Sequence, residues 1–113
     1  MSASTVVVFS RFGFGEATAD LQHKMAGIFL SLLGVSSGLP GKLLFYTDGV
    51  KLVCEGSPVL EELQALQEQG VELVICSTCL NYFGLTDKVQ VGTVGGMPAI
   101  LRALDDAEKV ISV

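Results

Sequence analysis

The chain has 113 residues, of which half are hydrophobic and only 17% are charged. This composition excludes a disordered chain, and the length fits one domain over residues 1–113 that buries roughly two-thirds of its unfolded surface. The formal net charge of −5 and the absence of Trp leave no basic, aromatic-rich surface, so we expect no nucleic-acid partner. The apolar excess is large for a small monomer and indicates a homo-oligomer.

The sequence indicates a location in the cytoplasm, without membrane attachment. Residues 1–10 have neither the positive segment nor the cleavage site of a secretory signal. The longest apolar stretch, residues 26–35, is too short to span a bilayer. Three cysteines are too few for a disulfide scaffold, and thiols that serve chemistry are typical of a reducing compartment.

Five short β-like runs alternate with helical patterns along the chain. Alternation of this kind predicts βαβ units and a parallel sheet. The predicted strands are residues 5–10, 42–46, 71–75, 88–92 and 109–113.

The first helical pattern covers residues 17–34. Its apolar residues at helical spacing predict a stripe that faces the core, formed by Leu21, Met25, Ile28, Phe29 and Leu32. His23 and Leu30 then lie on the outer face. We expect His23 to be solvated, whereas Leu30 in that position indicates a subunit contact.

Two further helices have recognisable beginnings. Ser57 and Pro58 open the second helix as cap and first helical residue, and Gly70 ends it. Its core stripe is Val59, Leu63 and Leu66. A last helix opens at Met97 and Pro98, with Ile100, Leu104 and Ala107 directed at the sheet.

The cysteine pair is the most informative feature. The apolar run 71–75 stops at Cys76, and Cys79 follows three residues later. Cys76 would therefore stand at the carboxyl edge of a buried strand, where the chemistry of open α/β sheets is found. A short helix starting there would favour a thiolate through its free N–H groups. The pattern predicts sulfur chemistry.

Other interpretations of the pair remain open. The two cysteines could be small core residues, or a thioredoxin-like dithiol, although such dithiols follow the first strand of their fold. A zinc site needs four ligands, and besides the pair the chain offers only Cys54 and His23. We expect no metal and no cofactor.

Loops that follow the strands should converge around Cys76. Ser10 to Gly15 contains a Gly-x-Gly turn that could hold an anion, but it lacks the rest of a dinucleotide fingerprint or P-loop, so close packing is the favoured role. Asp48 before Gly49 could transfer a proton, although this dipeptide is common in turns. The predicted substrate-binding residues are Ser10, Gly15, Asp48, Gly49, Thr78, Tyr82, Gly95, Gly96 and Met97.

The segments 45–52 (FYTDGVKL), 55–57 (EGS) and 76–85 (CSTCLNYFGL) resemble the YedF-like branch of the DsrE-like sulfurtransferase superfamily. The resemblance continues through residues 91–92, Met97 and 109–111, and so covers nearly the whole chain. It implies the DsrE-like fold, a three-layer α/β/α sandwich with a mostly parallel five-stranded sheet. It also supports an oligomer, a trimer or a multiple of one.

The resemblance assigns roles to the two cysteines. In the superfamily a cysteine ends the central strand and a glycine follows eight residues later, which matches Cys76 and Gly84. Cys76 thus takes the sulfur-carrying role, while Cys79 matches a position that is cysteine in the YedF-like branch. That branch usually carries a SirA/TusA-like domain ahead of this one, so a separate SirA/TusA-like carrier is an expected partner. Cys54 matches no motif and is expected to be structural.

The leading functional hypothesis is a sulfur relay between a sulfane-sulfur donor protein and an acceptor protein. Cys76 would hold a persulfide and pass it to an acceptor thiol, and Cys79 could release sulfide by closing a disulfide. Selenium would follow the same chemistry and is implied only by the family resemblance. The alternatives are a redox-sensing or regulatory binding subunit and a plain dithiol oxidoreductase.

Overall fold

The computed structural model describes residues 1–113 and contains one five-stranded sheet. The strands are β1 (Thr5–Phe9), β2 (Lys42–Phe45), β3 (Glu72–Cys76), β4 (Thr93–Gly95) and β5 (Lys109–Ser112). Their order is β4-β3-β2-β1-β5, and every neighbouring pair is parallel. This confirms the predicted α/β fold with a parallel sheet.

Four α-helices and one 3₁₀ segment connect the strands. They are α1 (Ala19–Gly34), the 3₁₀ segment (Thr47–Val53), α2 (Leu60–Glu68), α3 (Ser77–Tyr82) and α4 (Met97–Asp106). The chain steps in one direction from β1 to β4 and then returns past β1 to β5. Because such crossovers are right-handed, α1 to α3 lie on one face of the sheet and α4 lies on the other. None of the helices is long and apolar enough to cross a membrane.

The core lies mainly between the sheet and the α1–α2 layer. Phe9 of β1 stacks on Phe45 of β2 with ring centroids 5.3 Å apart, and it meets Phe29 of α1 edge-on at 6.2 Å. Val59, Leu63 and Leu66 are buried as predicted, although α2 begins at Leu60, two residues after the predicted start at Pro58, and Val59 is its N-cap. In α4 the buried residues are Ile100 and Ala103, while Leu104 and Ala107 are only partly buried against the core.

The stripe predicted for α1 is reversed except at Phe29, which packs against the core as predicted. The buried residues of this helix are Ala26, Leu30 and Leu33, and Leu30 is only 1% exposed. The predicted core residues Leu21, Met25, Ile28 and Leu32 are instead exposed, Leu32 by 64%. Both sides of α1 are apolar, so periodicity finds the faces but does not tell which one packs on the sheet. The prediction of Leu30 as a subunit contact is therefore wrong.

His23 also departs from its predicted place in solvent. Its ring is partly buried against Phe12, with ring centroids 4.6 Å apart. Its Nε2 atom is buried and has no hydrogen-bond partner. The loop that contains Phe12 folds back over the beginning of α1, and this fold-back covers a residue that helical periodicity alone places outside.

The fourth strand lies later than predicted. Residues 88–92 do not join the sheet, because Val89 pairs with Cys54 in an isolated antiparallel bridge. The Gln90 N–H donates to the Val53 carbonyl at 2.8 Å. Gly92, with φ of +88°, then turns the chain, and β4 follows as a three-residue strand. Pairing with the end of the 3₁₀ segment thus replaces the place in the parallel sheet that the apolar pattern predicted for residues 88–92.

Candidate functional site at the carboxyl edge of the sheet

Two free thiols lie together where β3 gives way to α3. Cys76 ends β3 in an extended conformation and directly precedes the helix, and Cys79 lies in its first turn. The Cys76 side chain lies close enough to Cys79 to raise the pKa of its thiol. Their accessibility differs, because Cys76 is only 1% exposed whereas Cys79 is partly open. This arrangement agrees with the strand end predicted for Cys76.

A residue from the neighbouring loop contacts the pair. The backbone N–H of Thr47 donates to Sγ of Cys79 at 3.1 Å. The Thr47 hydroxyl lies 2.7 Å from the carbonyl oxygen of Ser10 and equally close to that of Tyr46. Thr47 therefore connects the ends of β1, β2 and β3, and it supplies a hydrogen-bond donor to the more accessible sulfur.

The conformation of Thr47 is unusual. Its φ of +49° is the only positive value at a residue other than glycine. A β-branched side chain in the left-handed region is strained by about 1–3 kcal/mol, and such strain persists only where the surrounding structure imposes it. Here the strained backbone directs an N–H at a candidate nucleophile.

Gly49 explains how the turn fits against the sheet. A Cβ atom at this position would overlap the carbonyl oxygen of Phe9 at the end of β1. Only glycine allows the 3₁₀ segment to approach this closely. The structure gives Gly49, predicted as a substrate contact, a buried packing position.

Several opposing effects act on the Cys79 thiol. Burial has the largest effect and raises the pKa of Cys79 above its usual value. The Cys76 side chain raises the pKa of Cys79 further, while the Thr47 N–H acts in the opposite direction. The net direction is upward, so Cys79 is mainly a neutral thiol near neutral pH.

Cys54 lies apart from the pair, in an environment of its own. Burial raises the pKa of the Cys54 thiol, and its Sγ–H donates to the Val50 carbonyl at 3.2 Å. It borders a surface cavity of about 260 Å³, lined also by Phe12, Lys51, Glu55, Gly56, Phe83 and Leu85. This placement fits the structural role expected for Cys54.

Three other predicted site residues are near the dithiol. Ser10 is there through its backbone carbonyl, which faces Thr47. Gly95 of β4 lies beside Cys76 in the sheet register, and Gly96 approaches Ser77, the first residue of α3. The convergence of strand ends therefore brings these loops together as predicted.

The remaining predicted residues are more dispersed. Thr78 and Met97 are exposed in the first turns of α3 and α4. Tyr82 is 84% exposed at the end of α3, with its ring against Phe83, so it does not wall an enclosed pocket. Asp48 forms an ion pair with Lys51 at 2.7 Å.

The glycine turn after β1 packs against α1. The Phe14 N–H donates to the Gln22 carbonyl at 3.1 Å, and the Gln22 side chain donates to the Gly15 carbonyl at 2.7 Å. A Cβ on Gly13 would collide with Gln22. These contacts agree with close packing, the role that the sequence favoured over an anion cradle.

Thr47 is a site residue that the sequence does not predict. The Asp-Gly dipeptide that follows it indicates a turn, but no local pattern marks a threonine with positive φ. Its role depends on contacts with Ser10 and Cys79, which are 37 and 32 residues away in sequence. No three His, Cys, Asp or Glu side chains lie close enough together to hold a metal ion.

The sequence profile of the DsrE/DsrF-like family matches residues 4–113. The chain belongs to the DsrE/DsrF-like family. This confirms the DsrE-like resemblance, while the closer likeness to the YedF-like branch stays a prediction. No curated protein sequence matches this DsrE/DsrF-like protein significantly.

Solved structures share the fold of this DsrE/DsrF-like protein. The YchN protein of Escherichia coli is 20% identical, with a TM-score of 0.70 and full coverage of both chains. A conserved protein of unknown function, BT1422 of Bacteroides thetaiotaomicron, is 17% identical with a TM-score of 0.70, covering 97% of this chain and 95% of its own. MTH1491 of Methanobacterium thermoautotrophicum, also of unknown function, is 20% identical with a TM-score of 0.66, covering 96% and 98%.

Proposed function

We propose that this protein is a sulfur relay in which Cys76 carries a persulfide and transfers its outer sulfur to an acceptor thiol. The observation that carries the proposal is the pair of free thiols at the carboxyl edge of a parallel sheet, with Cys76 at the end of β3 and Cys79 in the first turn of α3. Membership of the DsrE/DsrF-like family, which is often linked to sulfur relay, supports it.

Loading and transfer require no net oxidation. The Cys76 thiolate attacks the terminal sulfur of a donor persulfide, the sulfur–sulfur bond of the donor breaks, and the donor leaves as a thiolate. An acceptor thiolate then attacks the outer sulfur on Cys76, which restores the Cys76 thiolate. Each step exchanges one sulfur–sulfur bond for another.

Cys79 offers a second outcome for the loaded protein. Its thiolate attacks Sγ of the Cys76 persulfide, hydrosulfide leaves, and a disulfide between Cys76 and Cys79 remains. The bound sulfur is thereby reduced while the two cysteine sulfurs are oxidised, and a dithiol reductant is needed to reset the pair. Because the pKa of Cys79 is raised, this discharge is slow near neutral pH and the persulfide is retained for transfer.

The partners of such a relay are proteins that present sulfane sulfur and proteins that accept it. A SirA/TusA-like carrier would supply one of these roles, and a reducing compartment such as the cytoplasm suits free thiols. Selenium could follow the same path, because an outer selenium atom held on Cys76 as a selenosulfide (Cys–S–SeH) would be transferred by the same displacement.

Intact-protein mass spectrometry after exposure to a small persulfide donor tests the proposal. We expect the wild type and Cys79→Ser to gain the mass of one sulfur atom, and Cys76→Ser to gain none. Cys54→Ser is the matched control for a thiol outside the site and should load like the wild type. Loading that survives in Cys76→Ser but is lost in Cys79→Ser would reverse the assignment of the two cysteines.

A redox-sensing or dithiol oxidoreductase function is the second candidate, because two free thiols three residues apart at the start of a helix also suit direct oxidation. In that case the wild type would lose the mass of two hydrogen atoms, through a disulfide between Cys76 and Cys79, and would never carry additional sulfur.

A further inference from the structure

Thr47 combines three features that the sulfur-transfer steps alone do not require. Its backbone is left-handed despite a β-branched side chain, its hydroxyl is anchored on Ser10, and its N–H is directed at Cys79. A type of residue that avoids positive φ occupies the one turn that contacts a thiol of the pair. Strain of this kind typically accompanies a pre-organised site.

Contacts on both sides of Thr47 hold the turn. The N–H of Tyr46 donates to the Phe9 carbonyl at 3.2 Å, and that of Gly49 donates to the Tyr46 carbonyl at 3.0 Å. Gly49 itself packs directly against the Phe9 carbonyl oxygen. The hydroxyl contact with the Ser10 carbonyl adds a side-chain contact that connects Thr47 to the end of β1 and helps to hold its N–H in this direction.

We propose that Thr47 is a positioning residue that prepares Cys79 for the discharge step, by holding an N–H against Sγ as its thiolate forms. The inference rests on the proposed function and extends it to the control of sulfide release. When Cys79 loses its proton to solvent and attacks the Cys76 persulfide, the N–H stabilises the charged nucleophile before the disulfide closes. Charge-assisted hydrogen bonds of this type are about twice as strong as neutral ones.

No ionisable group on the surrounding elements favours the Cys79 thiolate, so its stabilisation depends on the Thr47 N–H. Cys76 is the one ionisable side chain that acts on Cys79, and it opposes the thiolate. In the 3₁₀ segment, Asp48 and Lys51 neutralise each other, and the Lys51 ammonium lies over the Phe83 ring at 4.4 Å. After β1, Arg11 pairs with Glu16 at 3.9 Å.

The test compares Thr47→Val, Thr47→Ser and Thr86→Val. Valine has the shape of threonine but lacks the hydroxyl anchor, serine keeps the anchor, and Thr86 is an exposed loop residue that serves as control. The rate of sulfide release from protein loaded with a persulfide donor is measured against pH. We expect Thr47→Val to shift the profile to higher pH and to slow release about tenfold at neutral pH, because thiolate falls tenfold for each unit of pKa.

Rescue by the conservative variant is part of the expected result. Thr47→Ser and Thr86→Val should both keep the wild-type profile. A profile for Thr47→Val with an unchanged midpoint would overturn the proposal, even if the overall rate fell, because a merely structural role lowers the rate without moving the pH dependence. If Thr47→Val fails to fold, Thr47→Ala, which also loses the anchor, is expected to show the same shift.

A second measurement separates this proposal from the proposed function. In a Cys54→Ser/Cys76→Ser background, the alkylation rate of Cys79 against pH requires no sulfur transfer. Thr47→Val should move that profile upward as well. If no form of the protein loads sulfur but the alkylation profile shifts, the relay fails and the role of Thr47 stands; if sulfur loads but neither profile shifts, the relay stands and the role of Thr47 fails.

Discussion

The two cysteines of the pair differ more in their surroundings than their spacing indicates. Cys76 is enclosed at the end of β3, whereas Cys79 is partly open and receives an N–H from Thr47. Their three-residue spacing predicts the strand end and the helix start correctly. It does not predict the surroundings of the sulfurs, because Thr47, whose N–H donates to Cys79, is 32 residues away in sequence. Local patterns carry no information about such contacts.

The pH dependence of sulfide release follows from the environment of Cys79. Its pKa is raised, chiefly by burial, so only a small fraction is thiolate at neutral pH. The release rate from loaded protein should therefore rise about tenfold per pH unit until the pH passes the pKa of Cys79. Sulfide detection across the alkaline range checks this, with Cys79→Ser as control. A flat profile in the wild type would contradict the assigned nucleophile.

Burial of the Cys54 thiol leads us to expect a lower free energy of unfolding at alkaline pH. Burial raises the pKa of Cys54 in the folded protein, so folding disfavours the thiolate. The stability that is fully present below the pKa of the unfolded thiol is lost as the pH rises through the raised pKa of the folded protein. The thiolate also loses the hydrogen bond that Sγ–H donates to Val50. Urea unfolding of the wild type and Cys54→Ala at neutral and alkaline pH measures this. We expect a smaller alkaline loss in Cys54→Ala; equal losses would show that Cys54 is not responsible.

At the scale of elements, the sequence predicts the type of each element better than its partner. The helical period of α1 is correct, but its two apolar faces are interchanged, since Leu30 is buried and Leu32 is exposed. Residues 88–92 have the composition of a strand, yet Val89 pairs with Cys54 and the segment does not join the parallel sheet. In both cases the residues indicate that an apolar surface is covered, and tertiary contacts decide what covers it.

Because the 3₁₀ segment approaches β1 closely at Gly49, we expect substitution of this glycine to destabilise the fold. In Gly49→Ala the new methyl group would overlap the Phe9 carbonyl oxygen, so the turn must shift and the free energy of unfolding should fall by about 1–3 kcal/mol. Gly27→Ala is the matched control, because a Cβ there meets open space within α1 and should stabilise the helix by roughly 0.5–1 kcal/mol. Urea unfolding compares the two, and equal effects would contradict the tight contact at Gly49.

At the scale of the whole molecule, the reversal of α1 leaves an apolar surface without a partner in the chain. We define the outer stripe of α1 as Leu21, Met25, Ile28 and Leu32, all of which are exposed. Val35, just after the helix, extends it. A contiguous patch of exposed large apolar side chains on a small protein is typical of an interaction surface. The outer stripe of α1 is therefore a more suitable subunit interface for the predicted homo-oligomer than Leu30, which is in the core.

The two faces of α1 predict opposite effects of mutation. A charge in the outer stripe, as in Ile28→Glu, should dissociate an oligomer and leave the subunit folded, because an exposed side chain is replaced. Leu30→Ala should instead lower the free energy of unfolding by about 2–5 kcal/mol through the cavity that it leaves. Sedimentation together with urea unfolding separates association from folding. A wild-type monomer at micromolar concentration would exclude this use of the outer stripe, whereas an oligomer that Ile28→Glu does not disturb would place the subunit interface on another face.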